Sequence, residues 1–188
     1  MQSTIKNEFN EHIIVANKTM NSISKSIEAA AKICIDSLKK GNKILLIGNG
    51  GSAADAQHIA AEIVGRYKND RKGLPAIALT TDTSILTSVS NDFDYSYVFE
   101  RQLESLGNNG DVLIAISTGG SSTNVVNALK IAKKLGCRRI GFSGKGGGEF
   151  NSLCEVNLEV IATDTPRIQE MHILFGHVIC HLIDQAFI

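Results

Sequence analysis

The sequence predicts an α/β fold: a five-stranded parallel sheet, doubly wound, covered by helices on both faces in three layers and preceded by N-terminal helices. Three observations carry this. Beyond Gly41, short apolar runs alternate with helix-period segments. Those runs are apolar throughout, as strands buried on both faces read. The loops after the first and third runs are rich in Gly, Ser and Thr. Five strands favour a flavodoxin-like winding, in which ligands sit beyond the strand C-terminal ends, near the point where strand order reverses.

The elements follow in order. Ile5, Phe9, Ile13, Ala16, Met20, Ile23, Ile27, Ala31, Cys34 and Leu38 step by three and four, which makes residues 1–40 one or two helices. Weak helix formers from Asn17 to Ser24 offer a turn between them, and Gly41 closes the second. The stripe is nearly heptad-like, and suits a helix lying on its own domain as well as one packing between subunits. Residues 41–188 form the sheet domain, in one structural unit with the helices. Its first strand is Lys43 to Ile47, followed by Gly48 to Ser52 and a helix from Ser52 to Tyr67. A second strand covers residues 76–80, with helical segments at 83–90 and 95–106. Strand three is Val112 to Ile116, leading into Ser117 to Thr123 and a helix that stops at Gly136. Two more strands lie at 139–143 and 156–161, and Pro166 opens the last helix, which runs to Phe187.

Composition excludes several classes. Among 188 residues, 19 Lys plus Arg balance 19 Asp plus Glu, so nothing in the charge asks for nucleic acid or an anionic membrane. Aromatics are 5% with no Trp, too few for a base-stacking platform. No apolar run approaches the roughly 18 residues of a membrane-spanning helix, and the N-terminus lacks the layout of a secretory signal. Cys34, Cys137, Cys154 and Cys180 are far apart in apolar settings, which reads as reduced core thiols in a cytoplasmic protein.

The two loops look built for an anion. Glycines let the backbone approach a ligand, and the free N–H groups of a helix N-terminus favour negative charge. The loop from Ser117 to Thr123 adds five hydroxyls. One such loop reads equally well as a tight turn; two at neighbouring strand ends favour a phosphorylated ligand. Gly48-x-Gly50-x-x-Ala53 also fits a loose dinucleotide fingerprint, but the second hydroxyl loop has no place in that scheme. Gly144-Lys145 is not followed by Ser or Thr, so no Walker A loop is present, and Gly146-Gly147-Gly148 reads as a flexible connection. His58 and Glu62 share a face of the first sheet helix, as do Gln169 and His177 on the last, where His172 and His181 are rivals. Spacing alone leaves these as candidates.

The run from Asn49 to His58, continuing through Glu62, resembles a sugar isomerase (SIS) domain, and more narrowly the bacterial phosphoheptose isomerases. The similarity continues through Asn91-Asp92, the Ser117 to Ser122 loop and Arg167 to His172. It implies conversion of sedoheptulose 7-phosphate to D-glycero-D-manno-heptose 7-phosphate, an early step towards bacterial surface heptose. It implies substrate contacts at Asn49, Gly50, Gly51, Ser52, Glu62, Asn91, Asp92, Ser117, Thr118, Gly119, Ser122 and Gln169, with the phosphate held by the 117–122 loop. It further implies one zinc per subunit on His58, Glu62, Gln169 and His177, with Glu62 and His177 as the acid–base pair. Finally, it implies a homotetramer, which gives the N-terminal stripe a use. In the family the phosphate loop reads Ser-Thr-Ser-Gly-Asn-Ser; here Gly119 removes one hydroxyl. Two alternatives stand beside this: a non-catalytic tetrameric regulator of the same fold that binds the replication initiator, against which Glu62 counts, and an isomerase of another sugar phosphate.

Overall fold

The computed structural model describes residues 1–188. A single helix, α1 (Gln2–Lys39), precedes β1 (Ile44–Gly48), α2 (Gly51–Val64), β2 (Ala76–Ala78) and α3 (Thr83–Asp92). A 3-10 turn (Tyr95–Tyr97) leads into α4 (Val98–Leu106), β3 (Val112–Ile116), α5 (Thr123–Leu135), β4 (Arg138–Ser143), a short α6 (Phe150–Leu153), β5 (Val156–Glu159) and α7 (Thr165–Ala186). The strands form one parallel sheet in the order β2-β1-β3-β4-β5. Strand order reverses between β1 and β3, where Gly48 pairs with Ile116. The two Gly/Ser-rich loops therefore leave the sheet side by side.

Alternation along the buried strands divides the core in two. Ile44 and Leu46 of β1, with Ile114 and Ile116 of β3, face α1, α2 and α7. Leu45, Ile47, Leu113 and Ala115 face α4 and α5 on the other side. Each large side chain withdrawn here contributes about 1.5–3 kcal/mol, and β1 and β3 are buried at every position. A three-layer sandwich results.

Several expectations need correction. No turn interrupts α1 between Asn17 and Ser24. Ser22 and Ser24 bond back to the carbonyls of Thr19 and Met20, and Thr19 and Ile23 are buried, so packing outweighs weak propensity. The stripe splits in its environment: Ile23, Ala31, Cys34 and Leu38 are buried, whereas Ile5, Phe9, Ile13 and Met20 stay exposed. The helix α2 stops at Val64 rather than Tyr67. The edge strand β2 has three residues, and β5 ends at Glu159. The glycines at 146–148 do not form a loose connection. The Glu149 amide donates to the Gly120 carbonyl at 3.0 Å, and Gly120 (φ +62°) and Gly148 (φ +53°) meet so closely that neither has space for a Cβ.

Candidate functional site

Both loops end in helix N-termini, at Gly51 and Thr123, so unpaired amides face the switch point from two sides. A reciprocal amide pair joins them: Asn49 Nδ2 donates to Asn124 Oδ1 and Asn124 Nδ2 to Asn49 Oδ1, both at 2.9 Å. The Tyr95 hydroxyl donates to the same Asn49 oxygen at 3.1 Å. Between the loops lies a cavity of about 120 Å³ lined by Asn49, Ser52, Ile116, Ser117, Thr118, Ser122 and Gln169. The Ser117 and Ser122 hydroxyls stand 3.0 Å apart across the second loop. No Lys or Arg lines the cavity, so hydroxyls and helix-end amides are what it offers an anion.

Three metal-type donors gather nearby. His58 and Glu62 lie one turn apart on α2, with His58 Nε2 3.4 Å from Glu62 Oε1. On α7, Gly176 allows the two helices to touch, because a Cβ there would meet Ile59 at 2.5 Å. The next residue, His177, brings its Nε2 to 3.0 Å from His58 Nε2. All three donor atoms lie within 4.8 Å of one another. Two imidazole nitrogens this close, with a carboxylate oxygen 3.4 Å from one of them, suit a cation. In a tetrahedral zinc site with bonds of about 2.0–2.1 Å, neighbouring donors are roughly 3.3 Å apart, close to the spacing of His58 from each of the other two.

The other expected residues distribute as follows. Asn49, Ser52, Ser117, Thr118, Ser122 and Gln169 line the cavity together. Gly50 caps α2 with φ +56°, and Gly51 leaves room for Gln169, whose amide a Cβ there would meet at 2.6 Å. Gln169 stands on α7 about two turns before His177, beside the cavity. Gly119 sits in open space, where a Cβ would meet only Ser121 Oγ, at 3.6 Å. Asn91 and Asp92 end α3 on the exposed surface, bonded to each other at 2.9 Å and to no other member of the site. Of the rival histidines, His172 is fully buried, its Nε2 donating to the Ser143 carbonyl at 3.1 Å. Burial pushes its pKa down to about 4, the Ser143 bond acting in the opposite sense.

Four residues at or beside the site were not singled out from sequence. Asn124 and Tyr95 hold Asn49, as described. Asp55, one turn before His58, has one carboxylate oxygen with no hydrogen-bond partner, and burial pushes its pKa up to about 6 against the pull of His58. The ring of Tyr67 stacks on His177, with centroids 5.4 Å apart and planes 20° from parallel. Asn124, at the start of a helix, looks like an ordinary first-turn residue, and Tyr67 lies 110 residues from its partner, so neither had a local signal.

Comparison with known proteins identifies the family of the chain. A family model for the SIS domain matches residues 8–144. The chain is 59% identical over 184 residues to the phosphoheptose isomerase of Aliarcobacter butzleri, covering 98% of this chain and 97% of the relative. It is 53% identical over 187 residues to that of Campylobacter concisus, covering 100% and 98%. The solved phosphoheptose isomerase of Neisseria gonorrhoeae superposes with a TM-score of 0.93 at 41% identity, covering 98% of both chains. The chain belongs to the phosphoheptose isomerases of the SIS-domain family.

Proposed function

We propose that the chain isomerises sedoheptulose 7-phosphate to D-glycero-D-manno-heptose 7-phosphate through a cis-enediol(ate), an early step towards the heptose of bacterial surface polysaccharide. The observation that carries this is the convergence of Glu62 and His177, from two helices, beside a hydroxyl-lined cavity at the switch point. The phosphate takes the Ser117–Ser122 loop and the sugar runs past Asn49, Gly50, Gly51, Ser52 and Gln169, with Asn91 and Asp92 as outer contacts. Glu62 removes the C1 proton and returns it to C2, while His177 protonates the C2 carbonyl oxygen and takes the proton from the C1 hydroxyl, each role worth about 10²–10⁴-fold in rate. His58, Glu62 and His177, with Gln169 as the weakest ligand, hold one zinc per subunit; when bound, it polarises the substrate carbonyl.

The quaternary reading has its own support. Ile5, Phe9, Ile13 and Met20 leave an apolar stripe on α1 exposed, and a groove of about 580 Å³ between α1 and α7 is lined by Ala16, Met20, Ile27, Leu174 and Val178 among others. Apolar surface of this extent is seldom left to water, and a homotetramer would cover it. No helix is long and apolar enough to cross a membrane, and all four cysteines are unpaired; the cytoplasm is the compartment we assign.

The deciding experiment follows the anomeric protons of sedoheptulose 7-phosphate by NMR, with zinc and with chelator. New aldose signals that require metal establish the reaction and the zinc role together. Turnover indifferent to chelator removes the zinc role, and a flat spectrum in both tubes overturns the assignment.

A further inference from the structure

The loop from Gly65 to Pro75 is fastened by one buried ion pair. Arg71 Nε donates to Asp184 Oδ1 at 2.7 Å, with the side chains 1% and 0% exposed. The other Asp184 oxygen accepts the amides of Lys68 and Asn69 at 2.7 and 3.0 Å. The remaining guanidinium N–H groups donate to the carbonyls of Glu62 and Ile63, in the last turn of α2. One group thus ties the end of α2, the loop and the end of α7 together. Tyr67, adjacent to Lys68, has the ring that stacks on His177. His177 uses Nε2 towards His58, and no protein group hydrogen-bonds to its Nδ1. Histidines that ligate a metal are ordinarily oriented by a hydrogen bond at the second ring nitrogen. Here an aromatic face occupies that role, and it is itself held by backbone bonds to a buried carboxylate.

We infer that Tyr67 is a positioning residue for His177, its stacked ring fixing the imidazole plane so that Nε2 faces His58 and Glu62, with the Arg71–Asp184 pair holding the loop that presents it. This rests on the reading of His58, Glu62 and His177 as the metal cluster. Stacking restricts rotation of the imidazole before a ligand arrives, so its removal weakens ligation without touching substrate. The Tyr67 hydroxyl has no hydrogen-bond partner in the protein, so the ring alone is responsible.

The test measures zinc affinity of the full chain, without substrate, by competition with a chromogenic chelator. Tyr67→Leu is expected to bind zinc about three- to tenfold more weakly, with Tyr67→Phe within about twofold of the parent. In turnover the Leu variant loses kcat while KM stays unchanged. Zinc affinity equal to the parent in Tyr67→Leu, whatever its melting temperature, overturns the inference, as does a Phe variant as weak as the Leu variant. His177→Ala serves as the control on the underlying reading: if it binds zinc like the parent, the cluster assignment falls and the inference with it. If Tyr67→Leu does not fold, Tyr67→Met fills similar space without a ring and reads the same quantity.

Discussion

Substituting His172 by Gln should change how stability depends on pH, by an amount the structure sets. The imidazole lies between Phe142 and Phe175, with ring centroids 6.0 and 6.3 Å away, and its Nδ1 has no partner. Burial holds its pKa near 4, against an ordinary value of 6.5. The unfolded chain therefore binds a proton at His172 before the folded protein does, and folding loses stability as pH falls from 6.5 towards 4. Integrating between those two values, the folded state gives up about 2 kcal/mol from about pH 7.5 to about pH 5, and roughly 3 kcal/mol once pH is below both. Gln keeps an N–H donor for the Ser143 carbonyl and does not titrate. Urea midpoints of both proteins, taken at matched protein concentration across that range, give the difference directly, and carboxylates common to both cancel. Asp55 is one of them: its raised pKa makes stability fall as pH rises between 3.8 and about 6, opposing His172 in the parent. The parent should lose its advantage over His172→Gln, or turn inferior to it, as pH drops. A difference that stays constant from about pH 7.5 to about pH 5 refutes the assignment of a neutral, buried imidazole.

Further expectations concern the site and its frame. Glu62→Gln should lower kcat by about 10²–10⁴ with an unchanged circular dichroism spectrum; near-parental turnover removes Glu62 as the base. Gly119→Ser restores a hydroxyl where a Cβ has space, and one hydrogen bond to the charged phosphate should lower KM by roughly ten- to a hundredfold; an unchanged or higher KM shows that the backbone alone serves there. Asp184→Asn keeps an acceptor for the Lys68 and Asn69 amides but leaves the buried Arg71 guanidinium uncompensated, and should cost about 3–5 kcal/mol in urea unfolding. In the parent, burial would raise the Asp184 carboxyl, but the Asn69 and Lys68 amides and Arg71 outweigh it and hold the group below its usual range. A loss below about 1 kcal/mol in Asp184→Asn contradicts that account.

Much of the architecture was legible because burial on both faces of a sheet leaves one kind of residue. Ile44 to Ile47 and Val112 to Ile116 have no polar position to obscure the period, and their loops announce themselves through Gly and Ser. Pairs on one helix, such as His58 with Glu62, also survive in the sequence, since a spacing of four is a geometric statement. What was lost depends on contacts between distant segments. Thr19 and Ile23 keep α1 unbroken by packing that local propensity cannot register. Arg71 meets Asp184 across 113 positions, and the glycines at 146–148 acquire their purpose only when Gly120 arrives against them. Gly119 shows the opposite case, a departure evident from sequence whose surroundings only the fold could supply.

The order of these parts along the chain has a consequence for biosynthesis. Two donors, His58 and Glu62, leave the ribosome well before His177 and Asp184, which lie in α7. A nascent chain folding from its N-terminus forms β1 and α2 while the third donor and the anchor of its loop are still unmade. The cluster of His58, Glu62 and His177 therefore closes only once α7 has been made and has packed on α2.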